Sequence, residues 1–374
     1  MRDFVPFILG LIIMSTSGHA ADPILFVSAF NAEDRGAIHS CRFDTATGQL
    51  VLLHRMTDVE NPFFLVVSAD ARFLYSIDSV RFGDPDDEFV AAFQILGQTG
   101  QLKKLNRQSA RGTASCYLDI DPTGRSVLVA NYSSGSVAAL PVHKDGSLGE
   151  ARSFIPHAGT SVNPGHQQPR AHSIVVSPDA RFALAADLGL DKILGYRFDA
   201  AASALVASAA QPLVSLPPGS GPRHLTFHPN GKHVYVINET QNTVAVFDYS
   251  LSSGTLHHQQ TLSTLPDSFS GVSHTADLKI TPDGQFLYGT NRGHDSIAVY
   301  RIATDGRLDL VGIEPSLGQG PQNLLISSDG RWLLCANMPA STVVVFAIDS
   351  ETGHLTATAD PYAVPMPACL RWRH

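Results

Sequence analysis

Short apolar runs follow one another along most of this chain, alternating with polar residues and separated by Asp-Gly, Asn-Gly or Asp-Ala turns. Period-two alternation with β-branched and aromatic enrichment predicts strands, not helices. One unit recurs: "SADARFLYSID" at 68–78, "DPTGRSVLVAN" at 121–131, "SPDARFALAAD" at 177–187, "HPNGKHVYVIN" at 228–238, "TPDGQFLYGTN" at 281–291 and "SSDGRWLLCAN" at 327–337. The turn glycine or alanine falls at 71, 124, 180, 231, 284 and 330, a period of 46 to 56 residues. Each unit continues with a third run such as "SIAVYRI" or "TVVVFAI", a glycine turn and a more polar fourth strand. Evenly repeated short strands mean stacked supersecondary units.

Four antiparallel strands per unit make a propeller blade. Six turn motifs are complete, and "ILFVSAFNAEDRGAIHSCRFDTATGQL" is a seventh unit lacking its first strand. The terminal "PMPACLRW" is a strand with no partner in sequence. If it fills the gap, no sheet edge is left open. The pattern therefore predicts one all-β domain over 21–374, a seven-bladed propeller. Pro367–Trp372 would be the innermost strand of the blade begun by Pro23–Phe43. A β-sandwich would need neither the even period nor a spare strand at each end.

Residues 1–20, "MRDFVPFILGLIIMSTSGHA", have the layout of a secretory signal peptide cut after Ala20. The apolar run is too short for an ordinary membrane-spanning helix. The expectation is an exported protein that does not span a membrane and works as a monomer. A formal charge of −8 with scattered basic residues argues against nucleic acid. Cys41, Cys116, Cys335 and Cys369 sit in or beside apolar runs without metal-ligand spacing, as buried free thiols do.

Strand direction sorts the loops. Loops before each first strand share a face with residues that end each second strand. That mouth collects "QQPRAHS" (167–173), "GPRH" (221–224), "GVSHTAD" (271–277) and "GPQN" (320–323), with "NYSSG" (131–135), "DLGLD" (187–191), "NE" (238–239) and "NRG" (291–293). Arg170, His172, Arg223, His224, Glu239, His274 and Arg292 would converge there. Asn131, Asn291 and Asn337 read as turn caps, with Asn131 also kept as a candidate substrate contact. Arginines at such a mouth hold anionic groups and face a developing oxyanion, and a glutamate among them handles protons. Neighbouring arginines stabilise a carboxylate's charged form, so this base is weak and suits an activated ester such as a lactone. No nucleophile elbow, H-E-x-x-H or P-loop is present. His157, His166 and His172 make a poor zinc set, and Asp187 with Asp191 read as loop caps in preference to a Ca²⁺ site. The expected cofactor and metal requirement is none.

The chain resembles the seven-bladed propeller lactonases related to bacterial 6-phosphogluconolactonase, a family that includes the fungal enzyme interconverting carboxymuconate and its lactone. The likeness is carried by "NYSSGSV" (131–137), "PRAHSIVVSPDARFALAADLGLDKILGY" (169–196), "GPRHLTFHPNGKHVYVINE" (221–239), "TPDGQFLYGTNRGHDSIAVY" (281–300) and "PMPACLRW" (365–372). It implies that His172, Arg223, Glu239 and Arg292 form a catalytic set acting on a small anionic or sugar lactone. Arg170, His224, His274 and Asn131 are the expected substrate contacts. Three positions depart from the family pattern: Arg170 replaces a histidine, Gln322 stands where an arginine is common, and Asp78 replaces a glutamate. The alternatives are a muconate-type lactonising isomerase in the same pocket and a non-enzymatic binding propeller.

Overall fold

The computed structural model describes residues 22–30, 36–80, 83, 86–165 and 167–373. The proposed signal peptide, His166 and most of the loop at 31–36 lie outside the described residues. Among those described, the strands form seven antiparallel sheets. In the first blade Pro367–Arg373 pairs with Ile24–Ala29, which pairs with Ala37–Phe43 and then Leu50–Met56. The C-terminal strand thus stands innermost in the N-terminal blade, as the spare strands predict. Blades two to seven begin at Leu65, Ser115, Ala171, Pro222, His274 and Pro321.

The second strand of each blade is flanked by neighbouring blades on both faces. Ile24–Ala29, Phe73–Asp78, Ser126–Asn131, Phe182–Asp187, His233–Asn238 and Trp332–Asn337 are buried at every residue. This is why these strands read as nearly unbroken apolar runs, while the outermost strands alternate. The cores lie between blades: Phe286, Tyr288, Val299, Leu333 and Val344, for example, join the sixth blade to the seventh. All four cysteines are free and buried. The outermost strand is broken in two blades, with Ala204–Ala207 and Leu213–Ser215 both on Lys192–Asp199, and Leu355–Ala357 and Tyr362–Ala363 both on Thr342–Ile348. Pro212 and Pro361 stand in the breaks, where a residue without an N–H cannot continue the ladder.

The glycine turns after each third strand have a second function. Each receives the residue that opens the second strand of the preceding blade. The pairs are Ile24 with Gly100, Phe73 with Gly146, Phe182 with Gly254, His233 with Gly306, Phe286 with Gly353 and Trp332 with Gly48. In the remaining blade Ser126 Oγ meets Ser203 Oγ at 2.7 Å. Tyr75, Tyr235 and Tyr288 add hydroxyl bonds to the carbonyls of Gly146, Gly306 and Gly353 at 3.1, 2.8 and 2.9 Å. Gly353→Ala is expected to cost roughly 2–4 kcal/mol. Gly353 has φ +80°, and an added Cβ would lie 2.4 Å from the Phe286 ring. Urea denaturation measures this loss, and an unchanged midpoint would show that the turn yields freely.

Candidate active site

The innermost strands do not pair evenly at the mouth. In the fourth blade Ala171 pairs with Asp187 and Ser173 with Ala186, so the ladder skips His172. The same bulge skips Arg223, Cys116, Gln322 and Ala368 in their blades. A bulge re-aims the extra side chain, and here it directs that side chain towards the axis. His172, Arg223, Cys116 and Gln322 accordingly line one cavity of about 180 Å³, together with Phe63, Tyr132, Glu239 and Arg292. Ala276 and Ala368 occupy the corresponding places in the sixth and first blades. A pocket below the usual ~300–1,000 Å³ for drug-sized ligands fits one small molecule. A wider groove of about 660 Å³ lies among the turns around Asp70, Arg125 and Lys144, but it is away from this convergence of charged groups.

Glu239 is the hub. Its Oε2 lies 2.9 Å from Arg223 Nε and its Oε1 3.0 Å from Arg292 Nη2. The Arg223 contact is an ion pair and not a hydrogen bond, because the buried Nε–H does not point at the oxygen. Arg223 Nη1 donates to the Ala276 carbonyl and also meets His224 Nε2 at 3.2 Å. Among the described residues Nη2 has no hydrogen-bond partner, which leaves it for a ligand. Burial and the charge of Arg292 push Arg223 down to about 10, still cationic at neutral pH. Arg292 is tethered by the Thr275 carbonyl at 3.0 Å and the Gln322 amide oxygen at 3.4 Å.

Local sequence sets these positions. Asp191 accepts from the N–H groups of Gly219 and Gly221, each at 2.8 Å, and so pins the loop that leads into Pro222-Arg223. The Glu239 N–H donates to the Gly221 carbonyl at 2.7 Å, tying the two ends of "GPRHLTFHPNGKHVYVINE" together. Asp187 likewise accepts from Arg170 N at 2.8 Å and Leu190 N at 3.0 Å, so both aspartates serve their loops, as the capping reading expects. Among the described residues no cluster of three or more His, Cys, Asp or Glu side chains is arranged to hold a metal.

His172 Nε2 lies 3.8 Å from Glu239 Oε2, too far for a hydrogen bond, and Nδ1 is 3.6 Å from Cys116 Sγ. Burial first, then Arg223, hold the ring well below the ordinary histidine range. Protonating it would place a third positive charge beside Arg223 and Arg292, so proton uptake begins only well below pH 6.5. A pH profile of kcat/KM between about 5.5 and 8 is therefore expected to show no limb near 6.5. A limb there that vanishes in His172→Gln would show the ring titrating normally.

Of the eight residues singled out from sequence, the structure brings His172, Arg223, Glu239 and Arg292 into the cavity and leaves four outside its lining. Asn131 is fully buried, with its amide spent on the Ala110 carbonyl, Ser115 and Ser136. That is the capping arrangement; it corrects the expectation of a substrate contact. His224 is buried one residue beyond the bulge, against Asp277 at 2.9 Å. His274 is exposed, and its carbonyl accepts from Arg292. The Arg170 guanidinium sits 5.0 Å over the Tyr132 ring, behind a residue that lines the cavity. Sequence reading missed Phe63 and Cys116 as lining residues. Their signal was position: each holds the place in its blade that His172 and Arg223 hold in theirs.

Known proteins share this architecture. A family model described as "Lactonase, 7-bladed beta-propeller" matches residues 24–372. A 6-phosphogluconolactonase of Bacillus subtilis is 32% identical, over 93% of this chain and 98% of its own. One from Formosa agariphila is 33% identical over 88% and 94%. The solved structure of a periplasmic gluconolactonase from Pseudomonas aeruginosa superposes with a TM-score of 0.87 at 31% identity, covering 94% of this chain and 98% of that one.

Proposed function

The chain belongs to the seven-bladed β-propeller lactonase family, and from that premise we propose that it hydrolyses an unphosphorylated sugar lactone in the axial cavity without a metal. One observation carries this reading: a carboxylate held between two arginines in the lining of one small cavity. Glu239 takes a proton from water as its oxygen bonds to the lactone carbonyl carbon. Arg223 Nη2 faces the oxyanion of the tetrahedral intermediate. Collapse breaks the bond from that carbon to the ring oxygen, and the proton on Glu239 passes to the leaving alkoxide. Water and lactone become one hydroxy acid. A carboxylate suffices as base because the ester is strained and the ring oxygen is an adequate leaving group.

The cavity's charge supports an unphosphorylated substrate. Among the described residues Glu239 offsets one of the two lining arginines, and Phe63 and Cys116 add no cation to the lining. Phosphorylated sugar lactones are also cytosolic intermediates, whereas "MRDFVPFILGLIIMSTSGHA" has the layout of an export signal. The periplasmic location of the Pseudomonas aeruginosa relative supports the same placement. N-terminal sequencing of the native protein should begin at Ala21. Proton release from matched phosphorylated and unphosphorylated aldonolactones, with and without chelator, tests the reaction. Turnover of unphosphorylated lactones is expected, with a stable hydroxy acid as product and no loss on chelation. Preference for the phosphorylated set would overturn the substrate assignment, and a reversible reaction without water uptake would mark a lactonising isomerase.

A further inference from the structure

Directly beneath the cavity floor, the residues that follow the bulges form a second axial layer, which includes Tyr117, His224, Asp277 and Asn323. We propose that Asp277, acting through His224, is a positioning residue for Arg223, an inference that rests on the lactonase reading above. Asp277 is buried and accepts from every side. Lys279 Nζ lies 2.8 and 2.7 Å from its two oxygens, and the Asn323 amide and Leu324 N–H donate to Oδ2 at 2.7 and 2.9 Å. Burial alone would push its carboxyl up, but Lys279 and His224 together outweigh that and hold it ionised. An ionised carboxylate only accepts, so at 2.9 Å from Oδ1 the His224 Nδ1 must carry the proton. Nε2 then presents a lone pair to Arg223 Nη1 at 3.2 Å. Arginine has donors and no acceptor, so this tautomer alone fits.

Besides the Ala276 carbonyl, no other described residue accepts from Nη1. His224 is faced by the His172, Tyr117 and Phe64 rings, with centroids 5.4, 4.9 and 6.0 Å away, and by Arg223, Asp277 and Lys279. Burial and Arg223 push it down to about 3, so the ring stays neutral through the working range. The chain Asp277–His224–Arg223 thereby fixes the guanidinium plane. With Nη1 held by His224 and Ala276 and Nε beside Glu239, Nη2 is the guanidinium nitrogen left for a ligand.

Asp277→Asn tests this, because its amide must choose an orientation. The Asn323 and Leu324 donors require the oxygen on their side, so the new NH₂ turns to His224. That forces the proton onto Nε2, where it meets an arginine donor. Turnover of the preferred lactone should fall by roughly 10²-fold with KM little changed, the effect of a misaligned group. His224→Gln supplies both an acceptor for Arg223 and a donor for Asp277, so it should retain most of the turnover, whereas His224→Leu should lose it. This pair keeps the test open if Asp277→Asn folds poorly. Nitrogen-15 spectra of histidine-labelled protein, assigned by the His224→Gln difference, should show Nδ1 protonated in the wild type and Nε2 protonated in Asp277→Asn. Protonated Nε2 in the wild type, a well-folded Asp277→Asn with normal kcat, or equal activity in His224→Gln and His224→Leu would each overturn the proposal. The tautomer is read without substrate, so a chain that turned over no lactone would sink the reaction assignment while leaving this result to stand or fall by itself.

Discussion

Glu239→Gln should lower kcat by roughly 10²–10⁴ while KM changes little. Glutamine keeps the size of the side chain and an oxygen for one arginine, but it removes the only carboxylate that lines the cavity among the described residues. Two consequences need separating. The first is loss of the base. The second is electrostatic: Arg223 and Arg292 would face each other without the shared counter-ion that now lies 2.9 and 3.0 Å from them. Like-charge repulsion of that kind would show as a lower Tm and a changed KM for anionic lactones. A variant with wild-type Tm, normal KM and collapsed kcat has lost proton transfer. Arg223→Lys provides the complementary measurement, because a point charge cannot reproduce a planar fork held at Nη1 with Nη2 proposed to meet the lactone. It should lower kcat even though the net charge is kept. Near-normal turnover in Glu239→Gln would transfer the base to His172, whose neutral ring is the other proton acceptor on the cavity wall.

The blade count and the ring closure were legible because both depend on simple periodicities. Turn residues recur at 71, 124, 180, 231, 284 and 330, and a strand is missing at one end and spare at the other. Strand parity also placed His172, Arg223, Glu239 and Arg292 on one face. Parity stops there, because it assumes an unbroken ladder. The bulges at Cys116, His172, Arg223 and Gln322 break that ladder, and they decide which of two adjacent residues enters the cavity. Arg223 and His224 are neighbours in sequence, yet one lines the pocket and the other lies in the layer below. No hydropathy pattern distinguishes them. Phe63 and Cys116 were missed for a related reason: an apolar residue at the head of a strand looks like core until its blade position is aligned with that of His172. The turn glycines were read only as turns, while their contacts with Phe73, Phe182, Phe286 and Trp332 belong to the preceding blade and leave no local trace.

Truncation at Pro365 is expected to be the most destabilising single change to the fold. It removes the strand Pro367–Arg373, and with it the ladder along Ile24–Ala29. Ala368, Cys369, Leu370 and Trp372 are all buried there, and they face two neighbours. Leu370 and Trp372 pack with Phe43, Leu325 and Trp332 of the joint between the seventh and first blades, while Cys369 joins the core shared with Phe64 and Leu65 of the second. The Trp372 indole N–H donates to the Ile326 carbonyl at 2.9 Å, and Leu370 N–H to Asn323 Oδ1, also at 2.9 Å. At roughly 1.5–3 kcal/mol per large apolar side chain, Leu370 and Trp372 alone represent several kcal/mol, before the unpaired backbone is counted. Against a typical total of about 5–15 kcal/mol, that opens the ring. Asn323 also links this strand to Asp277, through an amide bond at 2.7 Å, so the loss should reach the layer beneath the active site. The truncated chain should unfold at a much lower denaturant concentration, bind an apolar dye and self-associate through the exposed edge of Ile24–Ala29. A peptide spanning 365–374 added in trans should restore the midpoint in proportion to its concentration, because it supplies the missing strand without closing the chain. If the truncated protein instead unfolded at the wild-type midpoint, cohesion between blades, from contacts such as Phe286 on Gly353, would be enough to hold the propeller open-ended.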